Sequence, residues 1–271
     1  MLLGLYSYCI FGKIRESEEL LLGEGIDPAF PVEVIGYKNI GAAVSKVPLS
    51  EFGEDALHYN ISNNLKWVED KARRHVLILE QISEQYSVAP LKFCTIFNKR
   101  ERILKLLAQK YDELSHILER VQGKYEWTVK VFCNEETFIK HVENEKRQIL
   151  ESALEGKPPG ITYLLKKKIN ENVKEASEKE LTKRANNIYE SLRTYSTDTA
   201  LEGCLTKGMT GRSERMILNC SLLIPRENVE DFLIKINEAN SLENPEGLFV
   251  EISGPWPPYS FTLFNLEDDH D

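Results

Sequence analysis

His75 is an ionisable side chain on what reads as the apolar seam of a long helix, between Ala72 and Leu79, where an imidazole could take or give a proton. No nucleophile or acid partner is indicated beside it, so the reading is a core histidine hydrogen-bonded to a sheet carbonyl. Cys94 follows Lys92 by two residues in an apolar run that reads as a strand, an arrangement that puts both on one face and could lower the thiol pKa. A strand that apolar favours a packed, inert cysteine. Gly203, Gly208 and Gly211, with Lys207, Thr206 and Thr210, weakly resemble an anion-binding turn and read better as a hairpin loop.

Two basic clusters interrupt the acidic surroundings: Arg73-Arg74 and Lys166-Lys167-Lys168. On Glu-rich helices such runs are solvated faces, and the sharper alternative is a surface complementary to an acidic protein. The most specific stretch is Gly254-Pro255-Trp256-Pro257-Pro258-Tyr259-Ser260-Phe261. Its prolines stiffen an extended backbone, while Trp256, Tyr259 and Phe261 offer large apolar surface at low entropic cost. Such a segment either folds back on its own domain or docks on another protein, with Trp256, Pro257, Pro258, Tyr259 and Phe261 as contact residues and Lys166, Lys167 and Lys168 as a second candidate contact.

No Walker-type phosphate loop, dinucleotide fingerprint, G-x-S-x-G elbow or H-E-x-x-H occurs in the sequence, so no catalytic, cofactor-binding or metal-binding residues are assigned. Cys9, Cys94, Cys133, Cys204 and Cys220 are scattered, without C-x-x-C or histidine at ligand spacing, and read as reduced thiols of a cytosolic protein. Lys and Arg total 34 against 43 Asp and Glu, a net charge of −9, which disfavours nucleic acid as a partner. The apolar start, Met1 to Tyr6, has no basic flank and meets Lys13 and Arg15 too soon to span a bilayer, so neither secretion nor membrane insertion is expected.

The elements that must position these residues follow from periodicity. Leu2–Phe11 reads as a buried central strand, and Pro31–Tyr37 with Ile40–Val47 as a hairpin around Lys38-Asn39. Leu65, Val68, Ala72, His75, Leu79, Ile82 and Tyr86 mark one amphipathic helix after Asn63. A strand Leu91–Phe97, a helix capped by Asn98 and ending near Gly123, and a strand Tyr125–Phe132 complete an N-terminal α+β domain, residues 1–133, with helices packed on one face of a mixed sheet. Residues 134–195 read as a helical hairpin broken at Gly156-Lys157-Pro158-Pro159-Gly160, with Glu175 spaced for pairing to Lys179. Residues 196–271 give a β-α-β unit, from a strand Glu214–Ile224, a helix opened by Pro225 and a strand Leu248–Ser253, followed by a fraying acidic end.

In order along the chain, Leu5-Tyr6-Ser7-Tyr8-Cys9-Ile10, the His75 helix with Ala89-Pro90-Leu91-Lys92-Phe93-Cys94-Thr95-Ile96-Phe97, Glu126-Trp127-Thr128-Val129-Lys130-Val131, Gly160-Ile161-Thr162-Tyr163-Leu164 and the Gly254–Phe261 block together resemble the gas vesicle protein GvpF/GvpL family. Length and composition are closer to its L member. The family tends to carry Arg and Gly where this chain has Lys92 and Cys94, and a small residue where it has Thr162, which leaves the geometry around residue 94 open. The resemblance implies two domains, the second ferredoxin-like, and a non-enzymatic accessory protein of gas vesicle assembly. It further implies the small hydrophobic wall protein and other accessory proteins as partners, in the cytoplasm and associated with gas vesicles. The competing reading from the residues is a ferredoxin-like sensor or enzyme using an inter-domain cleft. A single-strand RNA binder is weaker because of the acidic balance.

Overall fold

The computed structural model describes residues 2–12, 23–154 and 173–265. The fold is α+β, with two antiparallel sheets. The chain divides into two compact units, Met1–Glu126 with Pro255–Asp271, and Trp127–Gly254.

In the first unit, β1 (Leu3–Gly12), β2 (Val32–Tyr37), β3 (Ile40–Pro48) and β4 (Val88–Pro90) stand in the order β2-β3-β1-β4, and the short β5 (Ile96–Phe97) also pairs with β1. Every one of these pairings is antiparallel, so the mixed sheet expected for this part of the chain is corrected. The hairpin forms as expected around Lys38-Asn39, with Lys38 taking the left-handed turn conformation (φ 51°).

Between Ser7↔Val44 and Cys9↔Ala43 the β1–β3 register shifts by one residue. An inserted residue reverses the alternation of a strand, and here it turns Tyr6, Tyr8, Cys9 and Phe11 all to one face. Ile10 faces the other way. Both faces of β1 are therefore apolar, and both require cover. One is covered by the helix Leu65–Ser83 through Ile78, Leu79 and Ile82, the other by Ile103, Leu107, Leu114, Ile117 and Leu118. Helices on both faces replace the one-sided packing expected.

Two further expectations are corrected. The run Leu91–Phe97 is not one strand: β4 ends at Pro90, whose missing N–H is tolerated on an edge strand, and a turn closed by Thr95 N–H to the Lys92 carbonyl (3.1 Å) precedes β5. The helix expected from Asn98 to Gly123 is two, Arg100–Gln109 and Tyr111–Arg120, broken at Lys110 (φ −103°), with Lys99 at the first cap position. No glycine or proline marks that break. It re-aims the chain from β2 and β3 toward β1 and β4.

The second unit has strands in the order β7-β8-β6-β9: β6 (Lys124–Cys133), β7 (Asp198–Leu201), β8 (Arg215–Pro225) and β9 (Leu248–Trp256). Residues 124–133, placed with the N-terminal sheet by the order of elements, hydrogen-bond into this sheet instead. β7 was not legible in the sequence. The helices Glu135–Leu154 and Val173–Arg193 lie between β6 and β7, and Val229–Glu243 lies between β8 and β9. Phe138, Val142, Leu181 and Leu248 form a core with Cys133, and Trp127 packs on Phe232 at 5.7 Å between ring centroids. The pairing of Lys179 with Glu175 is present at 2.6 Å.

Candidate functional site

The register shift in β1 sets two tyrosines side by side, Tyr6 and Tyr8, with ring centroids 4.9 Å apart and both fully buried. His75 enters from the helix Leu65–Ser83 at 2% exposure and stacks on Tyr8 at 5.8 Å. Its Nδ1 lies 2.9 Å from the Tyr6 hydroxyl and its Nε2 3.2 Å from the Tyr259 hydroxyl. The Cys94 backbone N–H donates to the same Tyr6 oxygen at 3.1 Å. With that oxygen already accepting, the Tyr6 proton goes to Nδ1, and the network assigns the Nε2–H tautomer, which donates to Tyr259. Beside it, Tyr8 accepts from the Ile26 N–H at 2.6 Å and shares a 2.7 Å hydrogen bond with Ser45.

The segment that brings Tyr259 is held at several further points. The Glu126 carboxylate, 5% exposed, accepts from the Ser260 N–H (2.8 Å) and hydroxyl (2.6 Å). Thr262 donates to the Pro258 carbonyl at 2.8 Å, and Arg120 donates to the Phe261 carbonyl. Phe261 is 3% exposed, and Pro257 and Pro258 are buried. Trp256, at the end of β9, is 38% exposed.

Burial governs the electrostatics. It lowers the His75 pKa to about 4, so the imidazole is neutral at pH 7. Burial raises the Tyr6 and Tyr259 hydroxyls well above the usual phenol range and Tyr8 to about 12. A neutral histidine flanked by protonated phenols has neither an activated nucleophile nor a charged acid beside it. The arrangement holds protons in place and ties the Tyr259 segment to β1 and the His75 helix.

The candidates from sequence fall as follows. His75 is in the core, but its partners are two tyrosine hydroxyls rather than a sheet carbonyl. Lys92 and Cys94 do not share a strand face, because they lie in the turn; Cys94 adopts φ 64° and burial pushes its thiol up to about 12. Arg73 is exposed and paired with Glu69 at 3.0 Å, while Arg74 reaches Glu24 at 2.6 Å and the Gly25 carbonyl. Lys207–Thr210 is one helical turn closed by Gly211 at φ 68°. Lys166, Lys167 and Lys168 lie outside the described residues, as does the Gly156–Gly160 break. Glu126 and Arg120 went unrecognised as partners of the tail, and Tyr6, Tyr8 and Ser45 as members of the buried polar cluster. The signal present was the Tyr-x-Tyr spacing at the start of the chain's first strand.

Among the described residues no group of His, Cys, Asp or Glu could hold a metal ion, and no helix is long and apolar enough to cross a membrane.

The sequence model described as gas vesicle synthesis protein GvpL/GvpF matches residues 4–262. Gas vesicle protein L of Streptomyces sp. (strain CB03234) is 24% identical over 245 residues, covering 89% of this chain and 86% of its own. Gas vesicle protein F of the same organism is also 24% identical, over 257 residues, covering 93% and 98%. In structure, the chain is similar to gas vesicle protein GvpF from Microcystis aeruginosa, with TM-score 0.67, 18% identity, and coverage of 96% and 99%. GvpF from Anabaena sp. PCC7120 gives TM-score 0.65 at 19% identity, covering 99% and 100%. At these identities the solved structures bear on the fold.

Proposed function

The chain belongs to the gas vesicle synthesis protein GvpL/GvpF family, and from that we propose that it is a non-enzymatic accessory protein of gas vesicle assembly. In this reading it binds the small hydrophobic wall protein, together with other accessory proteins, during nucleation or assembly, in the cytoplasm and on the vesicle. A small wall protein that exposes apolar surface and strand edges aggregates unless it is covered before it is incorporated. The observation that carries the reading is the family match across residues 4–262, joined to a buried cluster in which His75 is held neutral and its tyrosine partners keep their protons.

The contact residues in this reading are Trp256 and the segment that presents it. Pro257, Pro258, Tyr259 and Phe261 are used in anchoring, which leaves Trp256 with the larger share of accessible surface. Lys166, Lys167 and Lys168 supply the second contact, toward an acidic accessory protein. The order strand, helices, strand, strand, helix, strand in residues 124–256, with the sheet order β7-β8-β6-β9, supports a ferredoxin-like second domain.

The test is co-purification of the full chain from cells making the whole set of vesicle proteins. Retention of the wall protein by the wild type, with reduced retention by Trp256→Ala, is the expected result. Absence of the wall protein from the wild-type preparation, in cells that still fill with normal vesicles when the chain is deleted, overturns it.

A further inference from the structure

Three helices and a turn of the second unit meet at Glu246. This residue closes the 3-10 turn Asn244–Glu246, and Gly247 follows in the left-handed conformation (φ 92°). The turn is pressed against the start of the helix Glu135–Leu154. There the Asn134 N–H donates to the Gly247 carbonyl at 2.8 Å, and a Cβ at Gly247 would lie 3.0 Å from Thr137 and 3.2 Å from the Phe138 nitrogen. One Glu246 oxygen takes Arg184, of the helix Val173–Arg193, at 2.9 Å; the other stands 3.5 Å from His141 Nε2. Arg184 also reaches Glu180 at 3.1 Å and Glu243, which ends the helix Val229–Glu243, at 3.3 Å.

The charges at this junction do not balance. Arg184 faces the carboxylates of Glu180, Glu243 and Glu246, and Glu145, one turn on from His141, brings a fourth to 3.5 Å from Nε2. Lys183 meets Glu180 only at 3.7 Å from an exposed position, and Lys140 is taken by Glu136 at 2.7 Å. Burial, opposed by Arg184 and aided by Glu246, pushes the Glu243 carboxyl up. His141 is the group that can change the balance. Its Nε2 is enclosed and makes no hydrogen bond among the described residues. At 3.5 Å from two carboxylate oxygens the ring is beyond good hydrogen-bond distance but well within Coulomb reach, which falls off slowly. A neutral ring therefore gains little from Glu145 and Glu246, and a charged ring gains from both.

We propose that His141 is a proton-operated clasp, which ties the helix Glu135–Leu154 to the turn at Glu246 when its imidazole carries a second proton and releases it when that proton leaves. Histidine is the side chain whose charge ordinarily changes between pH 5 and 8. The two ion pairs exist only with the charged ring, so the clasp is closed on the acid side and opens as pH rises. The sense is opposite to that of His75, which burial keeps neutral. The clasp belongs to the packing of the second unit alone and does not depend on the assembly role.

A double-mutant cycle on the full chain tests it, with His141→Gln, Glu246→Gln and the pair unfolded in urea at pH 6 and at pH 8. The expected coupling favours the folded state by about threefold or more at pH 6 and by less than about 1.5-fold at pH 8. Glu246→Gln also weakens the contact with Arg184, but that loss is common to both arms and drops out of the cycle. Amide exchange supplies a second readout. Corrected for its intrinsic rate, exchange in the helix Glu135–Leu154 is about threefold slower at pH 6 than at pH 8 in the wild type and equal at the two pH values in His141→Gln. Should Glu246→Gln fail to fold, Glu145→Gln, at an exposed position, takes its place in the cycle with a smaller coupling of the same sign. Coupling equal at the two pH values or larger at pH 8, or exchange in the wild type that does not change with pH, overturns the proposal.

Discussion

The Tyr259 hydroxyl lies 3.2 Å from His75 Nε2 across 184 positions of sequence, and it makes the last described segment of the chain part of the first unit's buried polar cluster. His75 is thereby fixed at both ring nitrogens, by Tyr6 and by Tyr259. The stability of the first unit consequently depends on residues from both ends of the chain.

Acid pH tests this cluster. The folded-state pKa of His75 is lowered to about 4 from an ordinary value of 6.5, so the unfolded chain binds the proton first. The stabilisation from this group is present in full above pH 6.5, falls as pH drops from 6.5 to 4, and is gone below. The loss is roughly 3 kcal/mol. Urea midpoints at pH 7 and pH 4.5 measure it, and His75→Gln flattens the dependence over that window.

Glu126 is the anchor for Ser260. Glu126→Ala leaves two donors without their acceptor and costs about 2–4 kcal/mol, whereas Glu126→Gln retains an acceptor oxygen and costs about 1–2 kcal/mol. Equilibrium denaturation of the two variants should give that order. Equal costs would show that packing around residue 126, not the carboxylate, holds the segment.

The backbone at Cys94 favours a residue without a Cβ. At φ 64°, Cys94→Gly relieves a left-handed penalty and comes out neutral or stabilising by up to ~1 kcal/mol, while Cys94→Val, β-branched, destabilises by about 1–2 kcal/mol. Thermal midpoints in the order Gly, Cys, Val, from highest to lowest, check it.

Phe261 and Leu263 are two residues apart and differ in burial, 3% against 77% exposed. Phe261→Ala empties a core position and costs about 3–5 kcal/mol; Leu263→Ala stays within about 0.5 kcal/mol. A substantial loss at Leu263 by chemical denaturation would mean that a further contact covers it.

Strands, the hairpin and the His75 helix were readable because their side chains repeat at the period of the element, as with Leu65, Val68, Ala72, Leu79 and Ile82. The register shift at Tyr8 was not, because one inserted residue leaves a strand with large apolar side chains on both faces looking the same whichever face each residue takes. The run Leu91–Phe97 misled for a related reason: its apolar residues serve a turn whose conformation is set by the Tyr6 hydroxyl and the Lys92 carbonyl, both outside any local pattern. Of the cluster, His75 and Tyr259 could be singled out by type. Their pairing could not, since it depends on a tail that returns to the first unit after a whole second unit has intervened.

That return has a bearing on synthesis. On the ribosome, the partner of His75 and the donor to Glu126 emerge only after Trp127–Gly254 has been translated, a delay on the order of ten seconds at roughly 5–20 residues per second. During that interval the nascent first unit carries a half-dressed imidazole and a carboxylate without its serine. The inserted unit is free to finish folding before the one that encloses it in sequence.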